Sequence, residues 1–132
     1  MPKIRVVVAD DHQAVIERVR EILDESFEVV DTVGDGQQAI DAVRFLNPDV
    51  LVLDISMPVL NGLEAARRLQ GLNCRTKIVF LTVHEDRDFV AAALSAGASA
   101  YVTKDRLRKD LVSAIREALE GRIFVSPMPT NR

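Results

Sequence analysis

Asp10 and Asp11 stand side by side at the end of an apolar run, VVVADDHQ (6–13). A third carboxylate, Asp54, closes DVLVLD (49–54). Thr82 lies near the end of KIVFLTV (77–83), and Lys104 follows SAYVT (99–103). Carboxylates drawn into one pocket repel each other and resist ionisation. A hard divalent cation relieves that repulsion. Mg²⁺ takes oxygen ligands, keeps several waters and is commonly held by one or two carboxylates plus a phosphate. A hydroxyl and an ammonium opposite such a cluster suit a phosphoryl group, the first as a hydrogen-bond donor and the second as a point charge. Taken singly, each residue also has an ordinary reading: Asp11 as the N-cap of a helix starting near His12, Thr82 as strand packing, Lys104 as a solvated loop charge.

The chemistry requires that these positions converge, and the pattern between them says how. Short apolar runs alternate with helix-period segments. IRVVVA (4–9) is the first strand candidate, and HQAVIERVREILDE (12–25) follows with Val15, Val19, Ile22 and Leu23 on one helical face. FEVVDTV (27–33) half-alternates, as an edge strand does. After the GDGQQ turn a second helix carries Ala39, Ile40, Val43 and Leu46, and Asn47-Pro48 ends it. DVLVLD is almost wholly apolar, which fits a central strand covered on both faces. A loop, ISMPVLNG, leads to a short helix at 63–70, then to the buried strand 77–83. DRDFVAAALSA (86–96) is helical, with Gly97 placed at its C-terminal cap. A fifth strand (99–103) and a last helix (107–120), with Leu107, Leu111, Ile115 and Ala118 on one face, complete the pattern. Strict βα alternation implies a doubly wound parallel sheet with helices on both faces. Such sheets bind ligands at the carboxyl ends of their strands, and all five residues fall at those ends.

The composition bounds the function. A chain of 132 residues that is 48% apolar supports one domain and one core without staples. The single cysteine, Cys74, allows no internal disulfide and points to a reducing, cytoplasmic setting. No segment has the order of a signal peptide, and the longest apolar runs are strand-sized. A net charge of −3 with both signs scattered gives these residues no electrostatic grip on nucleic acid.

The motifs VADDH, LDISMP, FLTVHED and AYVTK resemble the receiver domain of two-component response regulators, over about residues 3–121. LTVHED and GASAYVTKD are most similar to the subfamily that carries a C-terminal LuxR/NarL-type helix-turn-helix. The resemblance implies a flavodoxin-like (βα)5 fold with five strands in the order 2-1-3-4-5. It implies that Asp54 accepts a phosphoryl group from a sensor histidine kinase. Asp10, Asp11 and Asp54 would hold Mg²⁺ with the backbone carbonyl of Ser56, while Thr82 and Lys104 would contact phosphoryl oxygens. Thr82 and Tyr101 would form the switch, and Ser56 and His84 would tune the rate of hydrolysis. Tyr101 also reads as an ordinary edge-strand aromatic with its hydroxyl in water, and His84 as a loop histidine. Neither His84 nor His12 is expected as a metal ligand, because the site is oxygen-rich. The output face would be the fourth helix, fifth strand and fifth helix. Arg106, Arg108 and Lys109 there would either pair across a homodimer formed on phosphorylation or stay solvated. Two departures from the family pattern, Asp105 after Lys104 where proline is frequent and Asn61-Gly62 for Asp-Gly, leave the acidic site untouched.

The expected organisation is a receiver domain at 1–124 and a linker-like tail at 125–132. The tail and the subfamily resemblance favour an excised receiver, with DNA reached only through a helix-turn-helix absent from this chain; a stand-alone receiver acting by protein contact is the alternative. An aspartate-nucleophile phosphohydrolase would want a second aspartate where Ser56 stands, so the chain is expected to be a signalling phosphoacceptor and not an enzyme. A nucleotide or flavin binder would want a Gly- or Ser/Thr-rich loop where ADDHQ stands.

Overall fold

A computed structural model describes residues 2–129. Six parallel strands form one sheet in the order β2-β1-β3-β4-β5-β6. They are β1 (Ile4–Ala9), β2 (Phe27–Val33), β3 (Val50–Leu53), β4 (Lys77–Thr82), β5 (Ala100–Thr103) and β6 (Phe124–Val125). The helices are α1 (Gln13–Ile22), α2 (Gly36–Leu46), α3 (Gly62–Gly71), α4 (Arg87–Ser95) and α5 (Leu107–Leu119). The first five strands follow the expected order. The sixth corrects the expectation of five: Phe124, the last residue of the expected domain, and Val125, the first of the expected tail, pair with Ala100 and Tyr101. The end of that tail, residues 130–132, lies outside the described residues.

The apolar runs become central strands because both of their faces are covered. Side chains alternate across a strand, so each run feeds two cores. Val7, Leu51, Leu53, Ile78, Phe80 and Tyr101 pack beneath α2, α3 and α4. Val6, Val8, Val50, Val52, Val79 and Leu81 pack beneath α1 and α5. The half-alternating β2 takes the edge, as its pattern predicts.

Two helical faces differ from expectation. In α1 the buried residues are Ile16 and Val19, while Val15 and Ile22 are only partly covered and the helix stops three residues short. In α2 the expected Ala39, Ile40 and Val43 are buried and Ala42 joins them, while Leu46 sits at the rim. Which stripe of a helix is covered is set by how it docks on the sheet and not by its own apolar period alone. Asn47 ends α2 in the left-handed region at φ 48. Gly97 follows α4 at φ +99, where a side chain would be strained, and its N–H bonds Leu94 O. Among the described residues, no helix is long and apolar enough to cross a membrane.

Candidate functional site at the carboxyl edge of the sheet

The parallel ladder is what brings the acids together. Ala9 pairs with Leu53, and the next rung, Asp54 N–H to Ala9 O at 3.0 Å, sets Asp10 and Asp54 side by side just past their strands. Both are almost wholly buried. Gly62 lets α3 begin against this edge: a Cβ there would lie 2.0 Å from Asp54 O, and the Gly62 N–H bonds Ile55 O at 2.7 Å. Asn61, expected as a turn or cap, caps α3 by accepting the Glu64 N–H.

Lys104, which directly follows β5 and opens a single 3₁₀ turn, reaches both acids. Its Nζ lies 2.9 Å from Asp10 Oδ2 and donates to Asp54 Oδ2 at 3.2 Å. Burial pushes the Asp54 carboxyl above its ordinary pKa, and nearby Asp10 adds to that, while Lys104 and the Ile55 N–H only partly oppose it. Burial pulls the ammonium of Lys104 down, but the contacts with Asp10 and Asp54 outweigh that and hold it above its usual value. The pocket thus holds more negative than positive charge. Asp10 Oδ2, although buried, has no aligned hydrogen bond. Carboxylate oxygens of Asp10, Asp11 and Asp54 and a ring nitrogen of His12 all lie within 4.8 Å of one another. A cluster of three carboxylates that shares one ammonium fits a hard cation.

The reading of Asp11 as a helix cap is overturned. His12 is the N-cap of α1 and caps with no side chain, and it is the Asp10 carboxylate that accepts the His12 N–H at 2.8 Å. Asp11 is left exposed at the rim, beside the cluster. His12, set aside in the sequence reading, lies with Nδ1 3.1 Å from both Asp10 Oδ1 and Asp11 Oδ1. Its position next to two acids was the signal for it.

A second chain of contacts runs from the mouth of the pocket to the interior. Ser56 Oγ and His84 Nε2 share a hydrogen bond at 3.0 Å, and the His84 ring stacks on Phe89 of α4 at 4.1 Å. The His84 N–H donates to the buried hydroxyl of Thr82 at 3.4 Å. The His84 carbonyl accepts the Tyr101 hydroxyl at 2.8 Å. Tyr101 is therefore no edge aromatic with its hydroxyl in water: it is fully buried beneath a paired strand. Burial pushes its phenol up to about 12, with Asp86 and Asp54 adding to it. Ser56 joins Asp11, Met57, Asn61, His84 and Phe89 in lining an open groove over the site. Of the basic residues at the start of α5, Arg106 is engaged within the chain, its Nε donating to Asp110 Oδ2 at 2.7 Å. Arg108 and Lys109 are exposed.

A family model described as the response regulator receiver domain matches residues 6–116. The transcriptional regulatory protein DegU of Brevibacillus brevis is 37% identical over 131 residues, covering 98% of this chain and 56% of that protein. The response regulator UvrY of Escherichia coli K12 is 35% identical, covering 93% of this chain and 57% of that protein. The chain thus spans little more than half the length of these curated relatives. Among solved structures, the signal receiver domain of the putative response regulator NarL from Mycobacterium tuberculosis superimposes with a TM-score of 0.88 at 32% identity, covering 92% of this chain and 100% of that one. A LuxR-family two-component response regulator from Aurantimonas sp. gives 0.89 at 34%, covering 96% of this chain and 91% of that one.

Proposed function

The chain belongs to the receiver-domain family of two-component response regulators, in its LuxR/NarL-type branch, and from that premise we propose that Asp54 accepts a phosphoryl group from the phosphohistidine of a sensor kinase. One observation carries the reading: Lys104 Nζ bridges Asp10 and Asp54 in a buried pocket that stays short of positive charge. Asp10, Asp11, Asp54 and the backbone carbonyl of Ser56 would hold Mg²⁺. Bound there, the cation neutralises the carboxylates and the charge on the transferring phosphoryl oxygens.

An Asp54 carboxylate oxygen attacks phosphorus, the phosphorus–nitrogen bond to the donor imidazole breaks, and an aspartyl phosphate forms. Lys104, already 3.2 Å from Asp54 Oδ2, turns to a phosphoryl oxygen as a point charge. The Thr82 hydroxyl, which accepts the His84 N–H, donates to another. Attack of water on phosphorus later returns the Asp54 carboxylate and inorganic phosphate, and Ser56 with His84, hydrogen-bonded over the mouth, sets how readily water enters. Movement of Thr82 toward the phosphoryl group shifts His84 and through it Tyr101, which biases α4, β5 and α5 as the output face. α4 suits such a role because Ala93 is its only buried residue.

The domain, expected to end at residue 124, is proposed to run on through β6 and Ser126, which pair with β5 and α5, and a homodimer formed on phosphorylation is proposed as the output. A sensor histidine kinase is the expected donor. One relative's structure is described as RcsB dimers bound to DNA, and any DNA contact of the whole protein is assigned to chain outside these residues. The experiment is intact-mass measurement after a small acyl-phosphate donor with Mg²⁺. One phosphoryl group is expected, absent in Asp54→Ala and absent under chelation. Full phosphorylation of Asp54→Ala would refute the assignment.

A further inference from the structure

We propose that residues 122–128 are a latch: a dissociable strand that covers the outer edge of β5 and opens when the state of the Asp54 pocket changes. The inference rests on the reading of Asp54 as phosphoacceptor. It starts from a buried polar cluster that the pocket does not use. Ser126 is buried, and its hydroxyl donates to Asp110 Oδ2 at 2.7 Å while its oxygen accepts the Thr103 N–H at 3.3 Å. Asp110, also buried, is held from the other side by Arg106. The cluster therefore joins the tail, the end of β5 and the first turn of α5.

The rest of the segment is weakly held. β6 is two residues long, Phe124 and Val125 are only partly buried, and Ile123 is mostly exposed. A strand so short has little stability of its own, so its docking depends on the Ser126 cluster and on the short β5–β6 ladder. That ladder is bounded by Phe124 N–H to Ser99 O at 3.2 Å and Ser126 N–H to Tyr101 O at 2.8 Å. Elements with few buried contacts are the ones that open without global unfolding.

The second bond gives the latch its coupling. The backbone carbonyl of Tyr101 holds the tail, while its side-chain hydroxyl holds the His84 carbonyl over the pocket mouth. Val125 and Met128 pack against the same core cluster as Tyr101 and against which Phe89 and Val90 of α4 also pack. A shift of His84 that frees the Tyr101 hydroxyl therefore disturbs the strand to which the tail is tied. The segment sits on the β5–α5 surface itself, so its release would uncover part of the proposed output face.

Amide hydrogen exchange on the whole chain tests this. Ser126→Ala should speed exchange at positions 124 and 126 at least tenfold and leave Leu51 and Phe80, in the central strands, unchanged. Equal acceleration at those central amides would show the tail to be an integral part of the core and overturn the latch. Tyr101→Phe, which removes only the hydroxyl, should speed position 126 severalfold without any phosphoryl donor; no change there would overturn the coupling. After treatment with a small acyl phosphate and Mg²⁺, chain carrying one phosphoryl group by mass should show the tenfold acceleration at 124 and 126. A phosphoryl group with unchanged exchange defeats the latch alone. No phosphoryl group by mass defeats the phosphoacceptor reading, and this inference with it.

Discussion

Asp54 is asked to be a nucleophile in a place that disfavours its charge. Burial is the largest influence on it, and Asp10 works in the same direction. An acid whose folded pKa is raised stabilises the fold below its ordinary range and loses that contribution as pH rises through the raised value. In chelator, the unfolding free energy of the protein should therefore fall as pH rises above the ordinary carboxylate range. Asp54→Asn should flatten that slope and be more stable than the parent at pH 7, because the amide carries no charge into the buried site and Lys104 keeps Asp10 as its partner. Urea titrations from pH 4 to 8 measure both. A steeper slope in the variant would contradict the account. At this scale the sequence was informative about residue types but not about partners. Asp10, Asp54 and Lys104 were legible because each ends a strand, whereas the contact of Asp10 with the His12 N–H depends on how the chain turns after β1.

The elements place the chemistry through close approaches. α3 begins against the end of β3 only because residue 62 has no side chain, and a Cβ would overlap Asp54 O at 2.0 Å. Gly62→Ala should cost about 3 kcal/mol in unfolding free energy, at the upper end for overpacking because the obstacle is backbone. It should also slow phosphorylation from a small donor more than it changes donor affinity, because the Asp54 backbone must move. Denaturant midpoints and single-turnover rates read the two effects. Strand and helix identities were legible from periodicity, yet the exact buried stripe of α1 was not. Ile16 is buried there and Val15 only partly covered, because docking on the sheet, and not the helix's own period, selects the covered stripe. Nor does any local rule foresee Val59, a β-branched residue at φ 69 with its side chain exposed, in the loop between β3 and α3.

At the scale of the molecule, the two cores share every central strand: Val6 and Val7, Leu51 and Val52, Val79 and Phe80 face opposite sides of one sheet. Neither core can be lost alone, so unfolding in urea should be a single transition, coincident by far-UV circular dichroism and by Tyr101 fluorescence. Separate midpoints would contradict that coupling. The alternation of apolar runs and helical stripes determined the sheet, its helical layers and the edge where Asp10, Asp11, Asp54, Thr82 and Lys104 meet, because side-chain period and chain order are local properties. What only the tertiary structure decided is the fate of Tyr101 and of the residues after α5. VSPM carries no period and reads as tail. Its first residue joins Phe124 in a strand because β5 presents an open row of backbone groups beside it, and because Asp110, sixteen residues away from Ser126, waits buried for a hydroxyl. Pairings of that kind are made by proximity in space, which the local pattern does not record.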